Sequence, residues 1–111
     1  MALDWKSFPS LTSLRAFEAV ARLQGFSQAA RALNVTHAAV AQQVRALEAE
    51  LGHELVYREG RSLQLTATGA KLAQALAEGF GTIDRALAEL RAAQGQAPLR
   101  ITMTPAFATQ W

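Results

Sequence analysis

Apolar side chains recur along the chain at spacings of three and four residues, which places them on one face of an α-helix. The first such stretch covers residues 11–23 and predicts an amphipathic helix. Ser10 or Thr12 is suited to cap its start, and Gly25 is suited to end it. The apolar positions of this helix are Leu14, Phe17, Val20, Ala21 and Leu23.

Two further helices are predicted on either side of a short turn. The first covers residues 28–33 after Ser27 as its cap, and the second runs from Thr36 to about Leu51. Asn34 lies at the turn, because asparagine adopts the left-handed backbone conformation more readily than most residues. This order is the helix-turn-helix plan. We expect the core between the two helices to be closed by Ala30, Leu33, Val35, Val40, Val44 and Leu47.

The pattern then changes to two short strand-like runs, at residues 55–57 and 63–66, which predict a β-hairpin. The polar segment between them has Gly60 at its centre, and we expect Arg58 and Arg61 to lie at the tip of the hairpin. Beside a helix-turn-helix, such a hairpin would form a wing with two positive charges. On its own, it would be an ordinary solvated turn.

A long last helix is predicted from Thr66 or Thr68, either of which can cap it, to about Ala93. Its apolar residues form a heptad-like seam, which packs either on the same domain or on the same helix of a second chain. A helix of about 25 residues is roughly 38 Å long, which is more than a small domain needs, so we expect a dimer. The seam consists of Leu76, Phe80, Ile83, Leu87 and Leu90.

These elements divide the chain into three predicted parts. Residues 1–66 form a winged helix-turn-helix domain, and residues 67–94 form a linker and dimerisation helix. Residues 95–111 combine a linker with a strand-like run over residues 99–104. The predicted fold class is therefore mostly α, with a small β-hairpin wing and a long C-terminal dimerisation helix.

Composition narrows the possible classes of function. The 111 residues include no cysteine, which excludes disulfides, thiolate zinc sites and cysteine nucleophiles. A run of about 18 apolar residues and a signal-peptide pattern are both missing, so we expect a cytoplasmic protein. Two isolated histidines, His37 and His53, do not make a metal site. The motifs of phosphate-binding loops and nucleophile elbows are also missing, so we expect no enzyme activity.

The net charge of +2 hides an uneven distribution. Residues 1–47 hold five basic and two acidic residues, whereas residues 48–59 hold one basic and four acidic residues. The helix-turn-helix is therefore positive, as a nucleic-acid-binding surface needs to be. We expect the acidic stretch to be a solvated back face or to pair with arginines, since Arg45 and Glu48 are three residues apart. Its carboxylates belong to Glu48, Glu50, Glu54 and Glu59.

The second helix of the helix-turn-helix presents a polar face that suits a DNA major groove. The side chains opposite its core positions offer donors, acceptors and methyl-sized surfaces to base edges. These side chains are His37, Ala38, Ala41, Gln42 and Arg45. The wing arginines would then lie beside the DNA backbone or the minor groove. Because paired helices are also common in other proteins, the alternative is a helical dimerisation or adaptor module that binds a protein, such as RNA polymerase.

Five spaced motifs stand out along the chain, namely Phe26-Ser27-Gln28-Ala29-Ala30, Asn34-Val35-Thr36-His37-Ala38-Ala39-Val40, Leu47-Glu48, Leu51-Gly52 and Leu65-Thr66 with Gly69. In order and spacing they resemble the LysR-type transcriptional regulators. The run over residues 35–40 resembles the subgroup of glycine-cleavage activators and β-lactamase regulators. The resemblance covers about residues 8–93 and implies a winged helix-turn-helix followed by a dimerising linker helix.

The resemblance also implies a second, C-terminal domain of two α/β lobes. A small-molecule effector would bind in that domain, whereas the N-terminal region needs no cofactor. Residues 99–102 and 106–111 resemble the first strand and loop of the effector domain, so we expect an N-terminal piece of a longer protein, cut short at Trp111. The implied partners are double-stranded DNA with an interrupted palindrome, a second copy of the chain, a tetramer at full length, and RNA polymerase.

Carried over residue by residue, the resemblance places the starts of both helices at DNA. Ser27 and Gln28 resemble phosphate contacts, and Thr66 resembles the cap of the linker helix, near phosphate. The family often has Ser in place of Ala41, which removes one polar DNA contact, and Phe in place of Val56. The implied DNA-binding residues are Ser27, Gln28, Thr36, His37, Ala38, Gln42, Gln43, Arg45, Arg58, Arg61 and Thr66.

Overall fold

The computed structural model of the chain describes the backbone of residues 3–96 and the side chains of residues 3–93. The chain divides into two compact units, Met1–Ala77 and Glu78–Trp111. Over residues 3–96, three helices precede one antiparallel hairpin and a fourth helix follows it, which confirms the predicted mostly α fold. The elements are α1 (Leu11–Leu23), α2 (Phe26–Leu33), α3 (His37–Leu51), β1 (Val56–Glu59), β2 (Ser62–Leu65) and α4 (Ala67–Gln96).

Helix α1 begins at a serine cap and ends at a left-handed glutamine. The hydroxyl oxygen of Ser10 accepts hydrogen bonds from the backbone amides of Thr12 and Ser13, at 3.1 and 3.3 Å. Ser10 is therefore the cap, and Thr12 lies inside the helix. The prediction that Gly25 ends the helix is wrong, because its φ of 176° is extended. Gln24 reverses the chain instead, with a φ of 58°.

Helix α2 begins earlier than predicted, because Gly25 and not Ser27 is its N-cap residue. Ser27 is the second residue of the helix, and no side chain caps this end. Asn34 ends α2 in the left-handed conformation, with a φ of 59°, which confirms the predicted turn. Thr36 then caps α3 as predicted, since its hydroxyl oxygen accepts a 3.0 Å hydrogen bond from the amide of Ala39.

The core of the first unit lies where α1, α2 and α3 pack against one another. Ala30 is 7% exposed, as expected for a small residue at a helix crossing. Val35, predicted as a core residue, is 46% exposed, because it lies in the turn between α2 and α3. The largest fully buried side chains are Phe17, Leu47, Leu55, Val20, Val40 and Val44.

The hairpin pairs β1 with β2 around a two-residue turn at Gly60 and Arg61. Gly60 has a φ of 63°, a conformation that favours glycine. Of the two predicted tip arginines, Arg61 alone lies in the turn. Arg58 lies within β1 opposite Leu63, because the strand pairing continues one residue further, to Glu59.

Glu48 anchors the hairpin to α3. Its Oε2 accepts hydrogen bonds from the backbone amides of Leu55, at 2.8 Å, and Val56, at 3.3 Å. These amides lie where the chain enters β1, and the carboxylate satisfies them before strand pairing begins. The prediction that Glu48 is solvated or paired with Arg45 is therefore wrong, and within residues 3–93 the two side chains form no ion pair.

Thr66 joins the hairpin to the start of α4. Its amide donates to the carbonyl of Leu55 at 3.0 Å, and its hydroxyl donates to the carbonyl of Glu54 at 2.6 Å. The same hydroxyl oxygen accepts a 2.9 Å hydrogen bond from the amide of Gly69, so Thr66 and not Thr68 caps α4. Gly69 is buried, and a Cβ atom at this position would collide with the carbonyl oxygen of Leu55.

Helix α4 continues to Gln96, beyond its predicted end at Ala93. The seam residues Leu76, in the first unit, and Phe80, in the second, are half-buried. The other three seam residues have exposed side chains in the second unit, namely Ile83 at 56%, Leu87 at 42% and Leu90 at 64%. The strand predicted over residues 99–104 lies outside the described residues, and the predicted pairing of the seam with a second chain stays a prediction.

Candidate nucleic-acid interface

The exposed polar face of α3 starts at the first residue of the helix. His37, Ala38, Gln42 and Arg45 are exposed, and Gln43 is half-buried. Ala41 is only 8% exposed, so the prediction that it belongs to this face is wrong. It lies beside the apolar stripe that repeats every three to four residues along α3 and faces the core.

The starts of α2 and α3 both offer hydrogen-bond donors to an anion. The hydroxyl oxygen of Thr36 accepts a hydrogen bond from the amide of Ala39, so the hydroxyl hydrogen of Thr36 remains free to donate. No side chain caps α2, so its first backbone amides remain available, and the helix dipole favours negative charge there. Ser27 and Gln28 are exposed in this first turn, as the predicted phosphate contacts require.

One aromatic side chain links α2, α3 and the hairpin. The ring of Phe26 lies with its centroid 5.6 Å from that of the His37 imidazole, and the two planes are tilted by 60°. The guanidinium carbon of Arg58 lies 5.8 Å from the same centroid, a cation–π distance. Two predicted DNA-binding residues from different elements thus contact one half-buried ring. This role of Phe26 was not predicted, because no regular spacing links residue 26 to residue 58.

A polar cleft with a volume of about 160 Å³ lies beside this ring. Arg58 and Arg61 give it positive charge, His37 adds an imidazole, and the uncapped start of α2 adds backbone amides. Among the described residues, no acidic side chain lines the cleft, so it suits an anion such as a phosphate group. Its remaining lining residues are Gln24, Gly25, Phe26, Ser27, Gln28 and Leu63.

Six of the eleven predicted DNA-binding residues do not line this cleft, namely Thr36, Ala38, Gln42, Gln43, Arg45 and Thr66. Gln42, Gln43 and Arg45 follow one another along α3. The hydroxyl of Thr66 is engaged on both sides, since it donates to the carbonyl of Glu54 and accepts from an amide. A phosphate contact by this hydroxyl would therefore compete with its bond to Glu54. The DNA contacts of these six residues, like those of the five that line the cleft, stay predictions.

The described part of the chain has neither a candidate membrane span nor a candidate metal site. Within residues 3–96, no helix combines the length and the apolar character needed to cross a membrane. The same residues contain no group of three or more histidine or acidic side chains that could hold a metal ion. The polar cleft, by contrast, combines positive side chains with backbone amides and is a candidate site for an anion.

Comparison with known proteins gives a family and several relatives. A family model described as "Bacterial regulatory helix-turn-helix protein, lysR family" matches residues 11–70. The AhcY transcriptional activator HvrB of Rhodobacter capsulatus is 54% identical over 109 residues, covering 98% of this chain and 37% of that protein. The glycine cleavage system transcriptional activator of Escherichia coli K12 is 39% identical over 106 residues, covering 96% of this chain and 35% of that protein. The chain thus spans little more than a third of these relatives.

A solved structure described as a BenM_DBD/catB site 1 DNA complex has the same fold. The TM-score is 0.67 at 29% sequence identity, and the match covers 75% of this chain and 92% of that chain. The similarity confirms the predicted winged helix-turn-helix class. The glycine cleavage activator among the relatives confirms the predicted resemblance to that subgroup.

Proposed function

Because the chain belongs to the lysR family of bacterial regulatory helix-turn-helix proteins, we propose that it is the DNA-binding region of a transcriptional regulator. The observation that carries the proposal is the polar cleft, where His37, Arg58 and Arg61 meet the uncapped start of α2. Within residues 3–93, neither Arg58 nor Arg61 has a carboxylate partner, so both charges are available to phosphates. The DNA-bound structural neighbour supports this function over the adaptor module that binds only protein.

The recognition helix, α3, enters the major groove in this proposal. Its exposed side chains, including His37, Gln42 and Arg45, read base edges and so supply sequence choice. Arg58 and Arg61 contact the DNA backbone or the minor groove and supply affinity without reading bases. The cleft beside Phe26 takes a backbone phosphate, because its positive side chains and backbone amides match that group.

Two copies of the chain bind one DNA site in this proposal. The exposed apolar side chains of Ile83, Leu87 and Leu90 lie on α4, and pairing of two such helices would remove them from water. A two-fold dimer places two recognition helices at a fixed separation, which matches an interrupted palindrome.

The relatives extend well past the length of this chain, and we propose that this chain is part of a protein of similar length. We expect it to act in the bacterial cytoplasm, where it binds a small-molecule effector in a C-terminal domain. We also expect it to form tetramers and to contact RNA polymerase. By contrast, the region described by residues 3–96 should bind DNA without a response to an effector.

A binding titration tests the proposed function. A duplex selected from a random library by the protein is compared with a scrambled duplex of the same composition, at several salt concentrations. We expect tighter binding to the selected duplex and a steep loss of affinity for both duplexes as salt rises, since phosphate contacts release counterions. Negligible binding to both duplexes at low salt would overturn the proposal in favour of the adaptor module.

A further inference from the structure

The ring of Phe26 contacts the recognition helix and the wing at the same time. One contact is with the imidazole of His37, the first residue of α3, and the other is with the guanidinium of Arg58 in β1. The ring itself is half-buried, whereas the core side chains of the first unit are almost completely buried. Phe26 is therefore placed at the surface of the cleft.

The guanidinium of Arg58 lies over this ring. Within residues 3–93, its guanidinium has no ion pair, and the Phe26 face is the contact that the structure records for it. A long arginine side chain that is free in solution loses rotamer entropy when a phosphate fixes it. A guanidinium already held over an aromatic face has lost part of that freedom before DNA arrives.

His37 contacts the same ring. The centroid distance of 5.6 Å lies within the range of interacting aromatic pairs, and the two ring planes are tilted by 60°. Since His37 opens α3, the contact links the start of the recognition helix to the start of α2. The two side chains that line the polar cleft from α3 and from β1 are thus held by one residue of a third element, α2.

We propose that Phe26 is a positioning residue for DNA binding, and that its ring pre-orders Arg58 of the wing and His37 of the recognition helix around one phosphate. The inference rests on the proposed function, because it concerns the same cleft. Phe26 need not contact DNA for this purpose. Its substitution should act on affinity through Arg58 and His37, which is a property that a double-mutant cycle measures.

The experiment measures Kd for the selected and scrambled duplexes with Phe26→Leu, Phe26→Met and Phe26→Tyr. Leucine and methionine keep apolar volume without the aromatic face, and tyrosine keeps the face. We expect leucine and methionine to weaken binding to both duplexes by about two- to fivefold, the range of an exposed cation–π contact. Tyrosine should stay close to the unsubstituted protein.

The matched control is Phe8→Leu. Phe8 is also a partly exposed aromatic residue with a ring partner, since its centroid lies 5.1 Å from that of Trp5. It does not line the polar cleft. The control should therefore leave both Kd values unchanged, and thermal unfolding of every variant separates a loss of fold from a loss of positioning.

The cycle pairs each Phe26 variant with Arg58→Ala and, separately, with His37→Ala. We expect the loss caused by Phe26→Leu to shrink in both backgrounds, because the groups that the ring orders are no longer present. An equal loss in all three backgrounds would overturn the inference, even if Phe26→Leu weakens binding. Phe26→Met gives the same comparison if the leucine variant does not fold. If the unsubstituted chain binds neither duplex, the proposed function itself fails, so the two failures are distinguishable.

Discussion

The carboxylate of Glu48 accepts a 2.8 Å hydrogen bond from the backbone amide of Leu55, and this bond ties the wing to the recognition helix. Leu55 is fully buried directly before β1, so its amide cannot reach bulk water. Glu48 therefore stabilises the entry to the hairpin. The other carboxylates of this acidic stretch are exposed, namely those of Glu50, Glu54 and Glu59. In the proposed DNA complex, we expect this anchor to help set the orientation of the wing arginines.

Replacement of Glu48 by Ala should lower the free energy of unfolding by about 1.5–3 kcal/mol, because a charged acceptor is lost and a buried amide is left unpaired. Urea unfolding measures this change. Glu50→Ala is the matched control, since Glu50 is an exposed residue of the same helix, and its effect should stay within about 0.5 kcal/mol. Equal losses from the two substitutions would show that the anchor contributes no stability.

A methyl group at position 69 should destabilise the first unit. A Cβ atom there would collide with the backbone carbonyl of Leu55, which cannot move aside as a flexible side chain can. We expect Gly69→Ala to lower the free energy of unfolding by about 1–3 kcal/mol, as overpacking does. Gly79→Ala is the control in the same helix. Apart from its chain neighbours and the backbone of its own helix, a Cβ atom at Gly79 meets no described atom within 4 Å, so alanine should stabilise α4 by about 0.5–1 kcal/mol. A gain of stability at position 69 would contradict the close approach.

The helix starts show how far the sequence determines local structure. Thr36 and Asn34 were predicted correctly, because a threonine cap and a left-handed asparagine depend on chemistry within a few residues. Ser27 was predicted as a cap with the same reasoning and is not one. Gly25, with its extended backbone, is the N-cap residue instead, two positions earlier. No local sequence pattern shows which of the two residues is the N-cap.

The contacts that position the site cross between elements, so spacing along the chain could not predict them. Glu48 bonds to an amide seven residues away, across the end of α3, and Phe26 meets Arg58 from another element. Ala41 shows a related limit, because a small residue at the edge of an apolar stripe fits either face of a helix. The exposed residues His37 and Arg45 were assigned correctly to the surface, since the helical period alone determines their face.

Arg58→Ala should weaken binding to selected and scrambled duplexes by a similar factor. A wing arginine that contacts phosphate does not distinguish between base pairs, so the ratio of the affinities for the two duplexes should stay constant. The slope of log affinity against log salt should become shallower by about one unit. Arg22→Ala is the control for lost charge, because its guanidinium is bound to Glu18 at 3.0 Å. If Arg58→Ala changed only the preference between the two duplexes, the proposed role of the wing arginines as contacts that do not read bases would be wrong.

Gln42→Ala should have the opposite signature. Its exposed amide on α3 is suited to a bidentate contact with adenine, and loss of such a contact removes about 1–3 kcal/mol of discrimination. Affinity for the selected duplex should fall while affinity for the scrambled duplex stays nearly constant. The salt slope should also stay constant, because glutamine neutralises no phosphate. A uniform loss on both duplexes would assign Gln42 to the DNA backbone.

A charge in the exposed seam of α4 should prevent dimer formation. Leu87 is 42% exposed in the described chain, and an apolar contact with a second copy would bury it. Leu87→Lys places a charge there that would lose its hydration on pairing, so sedimentation velocity should show monomers at concentrations where the unsubstituted chain is dimeric. Ala88→Lys, at the next and also exposed position, adds the same charge beside the seam and should leave the dimer intact. Circular dichroism checks that both variants keep their helices. A Leu87→Lys protein that remains dimeric would place the interface on another surface, whereas monomers in the Leu87 variant alone would assign it to the apolar seam of α4.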